Sequence, residues 1–449
     1  MTALGVVFLL GALACLAFRR DAFVVVVAAS AGVPASAAIT VGSISISPFQ
    51  MLGVICAIAL LFTARRVSGG AGHVPMVMFT AWCVLITAAG PLIFAGLDVL
   101  PARKGVDIAV RSPEALTYTV STIAQTVYLL IGFAVIVYFV VTKRSPLLAA
   151  IPLAVGTVLS SLRIVSGLVG VRWPAWIFDN ATNVIYADET SRARGVLAEP
   201  SELAGFSLAA LAFGVACCVS SRVSVRLLGA GLSLLALMNL LLSGSGTAVV
   251  AGAVLAAIAG VVSILRAVRE DSPRVIWLSL VALALILGAV LAGNRLASWA
   301  TDIVTRKVGS ASMGFRSSAD SFSLEIVRQT FGLGVGLGGN RPSSFALMLL
   351  SNVGVVGFVL LAVAIAALVR HAYKARSAVP ACWSLVGLLI AKIIGLPDLS
   401  TPILWVLLAA CAAAVWTTQD RQPLTRRTLP SVPSTIPSRK RIPCTSRTI

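Results

Sequence analysis

The 449-residue chain is 58% hydrophobic and only 11% charged, whereas an ordinary soluble domain has roughly a quarter charged residues. This composition excludes a protein whose main solvent is water. The formal net charge is +19, but the basic residues stand at the ends of apolar runs, as membrane topology requires, so we expect a lipid bilayer and no nucleic acid as partner.

Apolar runs of about 17–25 residues, the length a helix needs to cross the hydrocarbon core, follow one another along the chain. They predict an all-α fold: a polytopic transmembrane helix bundle of about 12–13 spans with two large external loops. The runs lie near residues 2–18, 22–41, 49–64, 74–97, 116–142, 146–169, 200–220, 227–243, 246–265, 275–293, 344–369, 379–397 and 402–418. We divide the chain into N-terminal transmembrane helices (1–169), external loops and core helices (170–345), C-terminal transmembrane helices (346–418) and a basic cytoplasmic tail predicted to be disordered (419–449).

Short basic clusters recur at every second loop between these runs, such as Arg65 with Arg66 and Lys143 with Arg144. Because cytoplasmic loops carry an excess of Lys and Arg, the alternation predicts an external N-terminus and a cytoplasmic C-terminus. The other side carries the longer connections, at 98–115, 170–199 and 294–343. Long ordered loops in compact proteins tend to be functional, so we expect the site there.

One acidic residue stands where such a loop meets an apolar run. Pro200 suits the first turn of a helix, which places Glu199 at the N-cap and at the external water boundary. The Glu199 carboxylate can cap the helix, since the helix dipole favours negative charge there. Alternatively, alone or with Glu202 one turn later, it accepts a proton from an attacking sugar hydroxyl. The residues by themselves leave both interpretations open.

The stretch from 294 to 343 has more basic than acidic residues, although it is predicted to be external. Arginine forks bind phosphate oxygens bidentately and remain charged, which suits holding a pyrophosphate at a membrane surface. For any single arginine, attraction to anionic lipid headgroups is the alternative. The basic residues are Arg295, Arg306, Lys307, Arg316, Arg328 and Arg341.

A glycine-rich segment, Phe331-Gly-Leu-Gly-Val-Gly-Leu-Gly-Gly-Asn-Arg341, ends this stretch. It contains a GxGxxG pattern, but no strand is predicted before it, so we do not expect a dinucleotide site. We expect instead that glycines such as Gly334 and Gly336 allow a tight re-entrant turn and a close backbone approach to a ligand, with N–H groups that can bind an anion.

Two basic residues, Arg163 and Lys392, lie inside apolar runs, in their outer halves. Charges within a membrane span have functional or paired roles by default, and snorkelling to the interface is the alternative. Asp398 follows Lys392 and can neutralise it. No His, Cys and carboxylate cluster has metal-ligand spacing and there is no P-loop, so we expect no metal, no ATP and no other cofactor.

Four segments occur in a characteristic order. They are Arg194-Gly-Val-Leu-Ala-Glu199-Pro-Ser-Glu-Leu-Ala, then Leu242-Ser-Gly-Ser-Gly-Thr-Ala, then Arg316, and finally Gly334-Val-Gly-Leu-Gly with Leu350-Ser-Asn-Val-Gly-Val-Val-Gly beyond it. Together they resemble the O-antigen polymerase and ligase superfamily of polytopic membrane glycosyltransferases. The similar region runs from about Arg192 to Leu368, under half of the chain.

Members of that superfamily use glycans carried on a polyprenyl pyrophosphate and need no nucleotide sugar or metal. The resemblance implies that Arg194 and Arg316, with Arg328 or Arg341, hold the pyrophosphate leaving group. It also implies that Glu199 assists the acceptor hydroxyl. The implied partners are a polyprenyl-pyrophosphate-linked glycan, a glycan acceptor and polysaccharide-assembly proteins, in a bacterial inner (plasma) membrane.

Two features depart from the family pattern. The family's Ser-Arg is Ser245-Gly246 here, and the histidine that ligase-type members carry after the glycine run is absent, with Ser343 and Ser344 in that region. A polymerase that joins repeat units, or another lipid-linked glycan transferase, is therefore favoured over a ligase. A transporter or flippase for a lipid-linked or amphipathic anion is the alternative from another class, and a non-catalytic scaffold of envelope synthesis is a third.

Overall fold

The computed structural model describes residues 1–19, 22–63, 65–101, 112–187, 192–270 and 311–420, and these ranges are mostly helical. The helices are α1 (Ala3–Phe18), α2 (Phe23–Ser30), α3 (Pro48–Leu61), α4 (His73–Ile93), α5 (Val120–Val141), α6 (Ala150–Leu168, preceded by a 3-10 turn at Pro146–Ala149), α7 (Ala175–Phe178), α8 (Pro200–Cys218), α9 (Val223–Leu242), α10 (Gly246–Glu270), α11 (Ala311–Gln329), α12 (Phe345–Ala372), α13 (Val379–Gly395) and α14 (Pro402–Ala413). Three antiparallel pairs of strands accompany them: β1 (Ile39–Val41) with β2 (Ile44–Ile46), β3 (Arg65–Gly69) with β6 (Thr417–Asp420), and β4 (Asp98–Val99) with β5 (Glu114–Ala115).

Seven of the described helical segments are long and apolar enough to cross a membrane. They are His73–Ile93, Val120–Val141, Pro146–Leu168, Pro200–Cys218, Val223–Leu242, Gly246–Leu265 and Phe345–Ala372. The apolar helices α1, α3, α13 and α14 are shorter. These features are those of an α-helical membrane protein that crosses the bilayer several times.

The apolar run near 22–41 does not form one span, which corrects that prediction. Helix α2 ends at Ser30, close to Gly32 and Pro34, residues that disfavour a continuing helix. The chain then forms the β1–β2 hairpin, in which Gly42 takes a φ of +59° that a tight two-residue turn requires. Hydropathy alone did not distinguish this short helix and hairpin from a membrane span.

Other predicted boundaries differ in smaller ways. The run near 402–418 is a helix only as far as Ala413, and the chain then turns into β6. The predicted span near 275–293 lies outside the described residues, and so do 102–111, the basic residues Arg295, Arg306 and Lys307, and 421–449 of the tail.

Helix α14 forms the centre of the bundle. Every residue from Pro402 to Ala412 is buried, and α14 packs against α5, α12 and α13. The Trp405 ring lies against Gly132 of α5, where a side chain would collide with it. Its indole Nε1 donates a hydrogen bond of 2.9 Å to the Leu399 carbonyl. Because α14 is fixed on all sides, the segment just before it is held firmly at one end of the bundle.

The two ends of the bundle are structurally distinct. Helix α3 begins at Pro48, where Ser47 and Gln50 form a capping box, and ends near β3. Helix α14 begins at Pro402 and ends near β6. Since β3 and β6 pair with each other, both helices run from one common end of the bundle to the other. The starts of α3 and α14 therefore share the end that lies opposite the β3–β6 sheet.

Candidate functional site

A cavity of about 760 Å³ opens at the end of the bundle opposite the β3–β6 sheet. Its volume is within the range of roughly 300–1,000 Å³ that is typical of ligand sites. The starts of α3, α8 and α14 contribute to its wall, together with the end of α13. Five of the site residues predicted from the sequence line it: Glu199, Glu202, Arg316, Arg341 and Lys392. Segments far apart in the chain therefore bring acidic and basic groups to one compartment.

The start of α8 presents the two glutamates. Glu199 is the N-cap residue and Pro200 the first helical residue, which confirms the predicted boundary. The exposed Glu199 side chain makes no capping hydrogen bond and instead accepts one of 3.0 Å from the Ser201 hydroxyl. The carboxylate of Glu202 turns back and accepts a hydrogen bond of 3.1 Å from the Ala198 N–H. Helix capping therefore does not occupy the Glu199 carboxylate, which faces the cavity.

Arg316 lies on α11, at the wall formed with the end of α13. A Cβ atom on Gly395 would come within 3.2 Å of the Arg316 Nη1 and 3.4 Å of the Thr247 Oγ1. The absence of a side chain at Gly395 thus leaves room for the guanidinium beside the start of α10. The Arg316 side chain is half-buried, so its charge is only partly screened by water.

Arg192 is a charged neighbour of this wall that the sequence reasoning missed. Its Nε donates a hydrogen bond of 3.1 Å to the Ser243 carbonyl, and its side chain packs across Gly244. Burial, and then the positive charge of Arg316, lower the pKa of Arg192. The available signal was its position two residues before Arg194, in the same Arg-Ala-Arg stretch.

Arg341 enters the cavity from the segment between the glycine run and α12. Its Nη2 lies 3.8 Å from the Asp398 Oδ2, and both side chains are partly exposed. The negative charge of Asp398 is the main cause that raises the pKa of Arg341. Asp398, which the sequence had offered as a partner of Lys392, therefore forms an ion pair with Arg341.

Lys392 is almost completely buried, with 1% of its surface exposed. Its ammonium donates a hydrogen bond of 2.8 Å to the Thr401 hydroxyl and lies 5.2 Å from the centre of the Phe345 ring. The side chain points to the cavity wall and not to a distant interface. An ammonium that is buried inside the bundle and bound to a hydroxyl does not snorkel to an interface, and it fits the functional or paired role expected for a charge in an apolar run.

Arg163 and Arg194 lie apart from the cavity and share one carboxylate. Arg163 donates to Asp179 at 2.8 Å, and Arg194 binds both oxygens of Asp179, at 3.2 and 2.7 Å. The Arg194 guanidinium also lies 4.9 Å from the centre of the Tyr186 ring. Burial favours the protonated form of Asp179, but the hydrogen bonds from both arginines outweigh it and hold its pKa below the ordinary value. Arg194 thus stabilises the 170–199 loop and does not face the cavity.

The glycine run packs against a break in α12. Gly354 has a φ of +70° and a ψ of −178°, which interrupts the helix, and two carbonyls before the break accept hydrogen bonds from the N–H groups of Val335 and Gly336. The Gly334 N–H donates to the Thr330 hydroxyl. The glycine run turns tightly, with positive φ at Gly334 and Gly336, but the N–H groups of these two residues have intramolecular partners and are not available to an anion.

Arg328 lies on the surface of the protein, away from the cavity. Its side chain is 81% exposed and lies 3.6 Å from Glu325, one turn earlier on α11. Neither residue lines the cavity. Within the described ranges, no group of three or more His, Cys, Asp or Glu side chains has a geometry that could hold a metal ion.

No protein-family model matches this chain, and no curated protein shows significant similarity to it.

Proposed function

We propose that this chain is a membrane glycan polymerase or ligase that transfers an oligosaccharide from a polyprenyl-pyrophosphate donor to a glycan acceptor, without metal or ATP. One observation carries the proposal. The cavity at one end of an apolar helix bundle collects three basic side chains (Arg316, Arg341, Lys392) and two glutamates from separate segments. A transferase with a diphosphate leaving group needs both kinds of charge in one place.

In this proposal Arg316 and Arg341 bind the diphosphate. Guanidinium groups match phosphate oxygens and stay charged, so they neutralise the charge that develops on the leaving oxygen. The acceptor hydroxyl attacks the anomeric carbon of the donor, the bond from that carbon to the pyrophosphate oxygen breaks, and Glu199 accepts the hydroxyl proton. The polyprenyl pyrophosphate leaves as the second product. Arg163 and Arg194 contribute through Asp179, by fixing the loop that precedes Glu199.

The proposal includes a topology of about a dozen spans in a bacterial inner membrane, with the N-terminus outside and the C-terminus in the cytoplasm. The distribution of charge supports this orientation, because Arg65 and Arg66 lie in the β3–β6 sheet, at the end away from the cavity. A cavity on the external face also suits lipid-linked glycans that have already crossed the membrane.

A transporter or flippase of a lipid-linked or amphipathic anion is the second candidate. One observation favours it: the interruption of α12 at Gly354 resembles the discontinuous helices that line transporter sites. The charged cavity would then bind the same class of anion without forming a new bond.

A reconstitution experiment separates the two. Purified protein in lipid vesicles is supplied with a polyprenyl-pyrophosphate oligosaccharide and no ATP, and the glycans are then released and sized. Longer glycans with new glycosidic bonds support the transferase. Movement of the labelled lipid between leaflets with no change in glycan length would replace it with the transporter.

A further inference from the structure

A second chamber, of about 490 Å³, adjoins the charged cavity. The proposed reaction assigns it no role. The two spaces share five lining residues: Gln125, Tyr128, Asn183, Arg341 and Asp398. A molecule can therefore extend from one space into the other across this common wall.

One face of α5 supplies the polar groups of the second chamber. Ser121, Ala124, Gln125 and Tyr128 follow the i, i+3, i+4, i+7 spacing of a single helix face, and all four line the chamber. Polar groups on a membrane helix are costly unless they find partners. Within the part of the chain that the structure describes, neither the Gln125 amide nor the Tyr128 hydroxyl makes a hydrogen bond with the protein. Their geometry leaves them available to a ligand.

On the opposite wall, the side-chain amides of Asn340 and Asn352 already have hydrogen-bond partners within the protein. Asn340 donates to the hydroxyls of Ser323 and Ser351, at 2.9 and 3.0 Å, and its own amide oxygen accepts from the Leu100 N–H. Asn352 donates to the carbonyls of Asn340 and Met348, at 2.8 and 2.9 Å. These amides are rigid parts of the wall. Recognition of a ligand thus falls to the α5 face and to Asn183, whose Nδ2 binds the Ser45 carbonyl at 3.2 Å.

The charge of the second chamber is balanced. Its charged lining residues within the described ranges are Arg341 and Asp398, which form an ion pair with each other. The rest of the lining mixes hydroxyls, amides and one tyrosine, which has an apolar ring and a polar tip, with apolar side chains such as Val120, Leu337 and Met348. Arg341 is the one cation among the described lining residues and lies at the wall shared with the charged cavity, so the rest of the chamber offers a pyrophosphate no positive charge. The hydroxyls and amides distributed among the apolar side chains suit a polyprenyl chain poorly. The lining matches an uncharged molecule with many hydroxyl groups and apolar C–H faces.

We propose that the second chamber binds the neutral, polyhydroxylated end of the acceptor glycan, with Gln125 and Tyr128 as its hydrogen-bonding residues. That this glycan is the acceptor of the reaction rests on the proposed function. That the chamber is a site for neutral glycans rests on its lining residues alone. Acceptor and donor then meet at the wall where Arg341 pairs with Asp398.

The test measures glycan binding directly. Purified protein in detergent is applied to an array of neutral and acidic bacterial oligosaccharides, and the wild type is compared with two variants. Ala124→Leu fills the chamber with an apolar side chain, and Tyr128→Phe removes a single hydroxyl. Val127→Leu is the matched control, because Val127 is 42% exposed on the same helix and does not line the chamber. Thermal unfolding of each variant confirms that it is folded.

We expect the wild type and Val127→Leu to bind a subset of the neutral glycans. Tyr128→Phe should bind them about tenfold more weakly, the equivalent of one hydrogen bond, and Ala124→Leu should lose them. The inference is overturned if no neutral glycan binds, if acidic glycans bind preferentially, or if both folded variants bind as the wild type does. Neutral glycan binding without product in the reconstituted assay would keep the site and remove the transferase.

Discussion

Asp320 accepts two hydrogen bonds from Ser343, one of 2.9 Å from the backbone N–H and one of 2.7 Å from the hydroxyl. Asp320 lies one helical turn after Arg316 on α11, and Ser343 lies two residues after Arg341. This contact therefore fixes the relative positions of the two arginines that we assign to the diphosphate. A diphosphate site depends on such fixed spacing, since both guanidinium groups must reach one ligand at the same time.

Asp320→Ala should reduce glycan transfer and weaken donor binding, although Asp320 itself is not assigned to the ligand. The variant leaves the Ser343 N–H without its acceptor, which costs about 1–3 kcal/mol of stability, and it releases the segment that carries Arg341. The measurement is steady-state kinetics of glycan transfer, which separates an increase in the KM for the donor from a decrease in kcat. Asp320→Asn keeps an acceptor for the Ser343 N–H and should restore most of the affinity. Equal behaviour of both variants would contradict a positioning role.

Arg316→Ala should lower the rate of transfer by roughly 10²–10³-fold, the usual effect of removing one group that stabilises the developing charge. Folded protein should remain in the membrane, because the half-buried Arg316 side chain contributes little to packing. Arg328→Ala is the matched control, since Arg328 lies on the same helix but is 81% exposed and outside the cavity. The rate of transfer for each variant is measured in the reconstituted assay from the amount of lengthened glycan formed over time. Full activity of Arg316→Ala would exclude Arg316 from the site.

Asp179→Ala should destabilise the fold. It removes a carboxylate that is shared by Arg163 and Arg194, whose side chains are only 8% and 6% exposed. Removing one partner of a buried ion pair in this way costs about 3–5 kcal/mol. Asp98→Asn, at an exposed position, should change the free energy of unfolding by less than about 0.5 kcal/mol. Denaturant titration in mixed micelles measures the free energy of unfolding of the two variants. Unchanged stability of Asp179→Ala would show that the shared carboxylate does not hold the fold together.

Labelling of introduced cysteines should reveal which end of the bundle faces outward. Ser318 is exposed on α11, and Ser377 is exposed in the basic loop before α13. In a background that lacks the native cysteines, Ser318→Cys should react with a membrane-impermeant maleimide on intact cells. Ser377→Cys should react only after the cells are opened. The reverse pattern would invert the proposed orientation.

The long apolar helices could be predicted from the sequence because their length and their flanking charges are local signals. The start of α8 was predicted for the same reason, since Pro200 marks it. The run near 22–41 failed because a short helix and a hairpin of alternating Ile, Thr, Val and Ser have the same average hydropathy as a span. The alternation of β1 and β2 around Gly42 was the signal that could have identified the hairpin.

The site was predictable in part. Glu199, Glu202, Arg316, Arg341 and Lys392 do share a cavity, because charges in an apolar chain concentrate where water is available. The partner of Arg194 was not predictable, since the pairing with Asp179 depends on how a loop folds back on itself. The polar face of α5 went unnoticed as well. Gln125, inside a long apolar run, was the signal that could have revealed it.

The pairing of Arg65 with Asp420 joins positions 355 residues apart and closes the intervening chain into a ring. During synthesis, strand β3 leaves the ribosome long before β6 exists, so the sheet can form only after α14 has been synthesised. The β3–β6 sheet therefore forms late in folding. Its formation would report that the final helix has reached its place and that the walls of the cavity are complete.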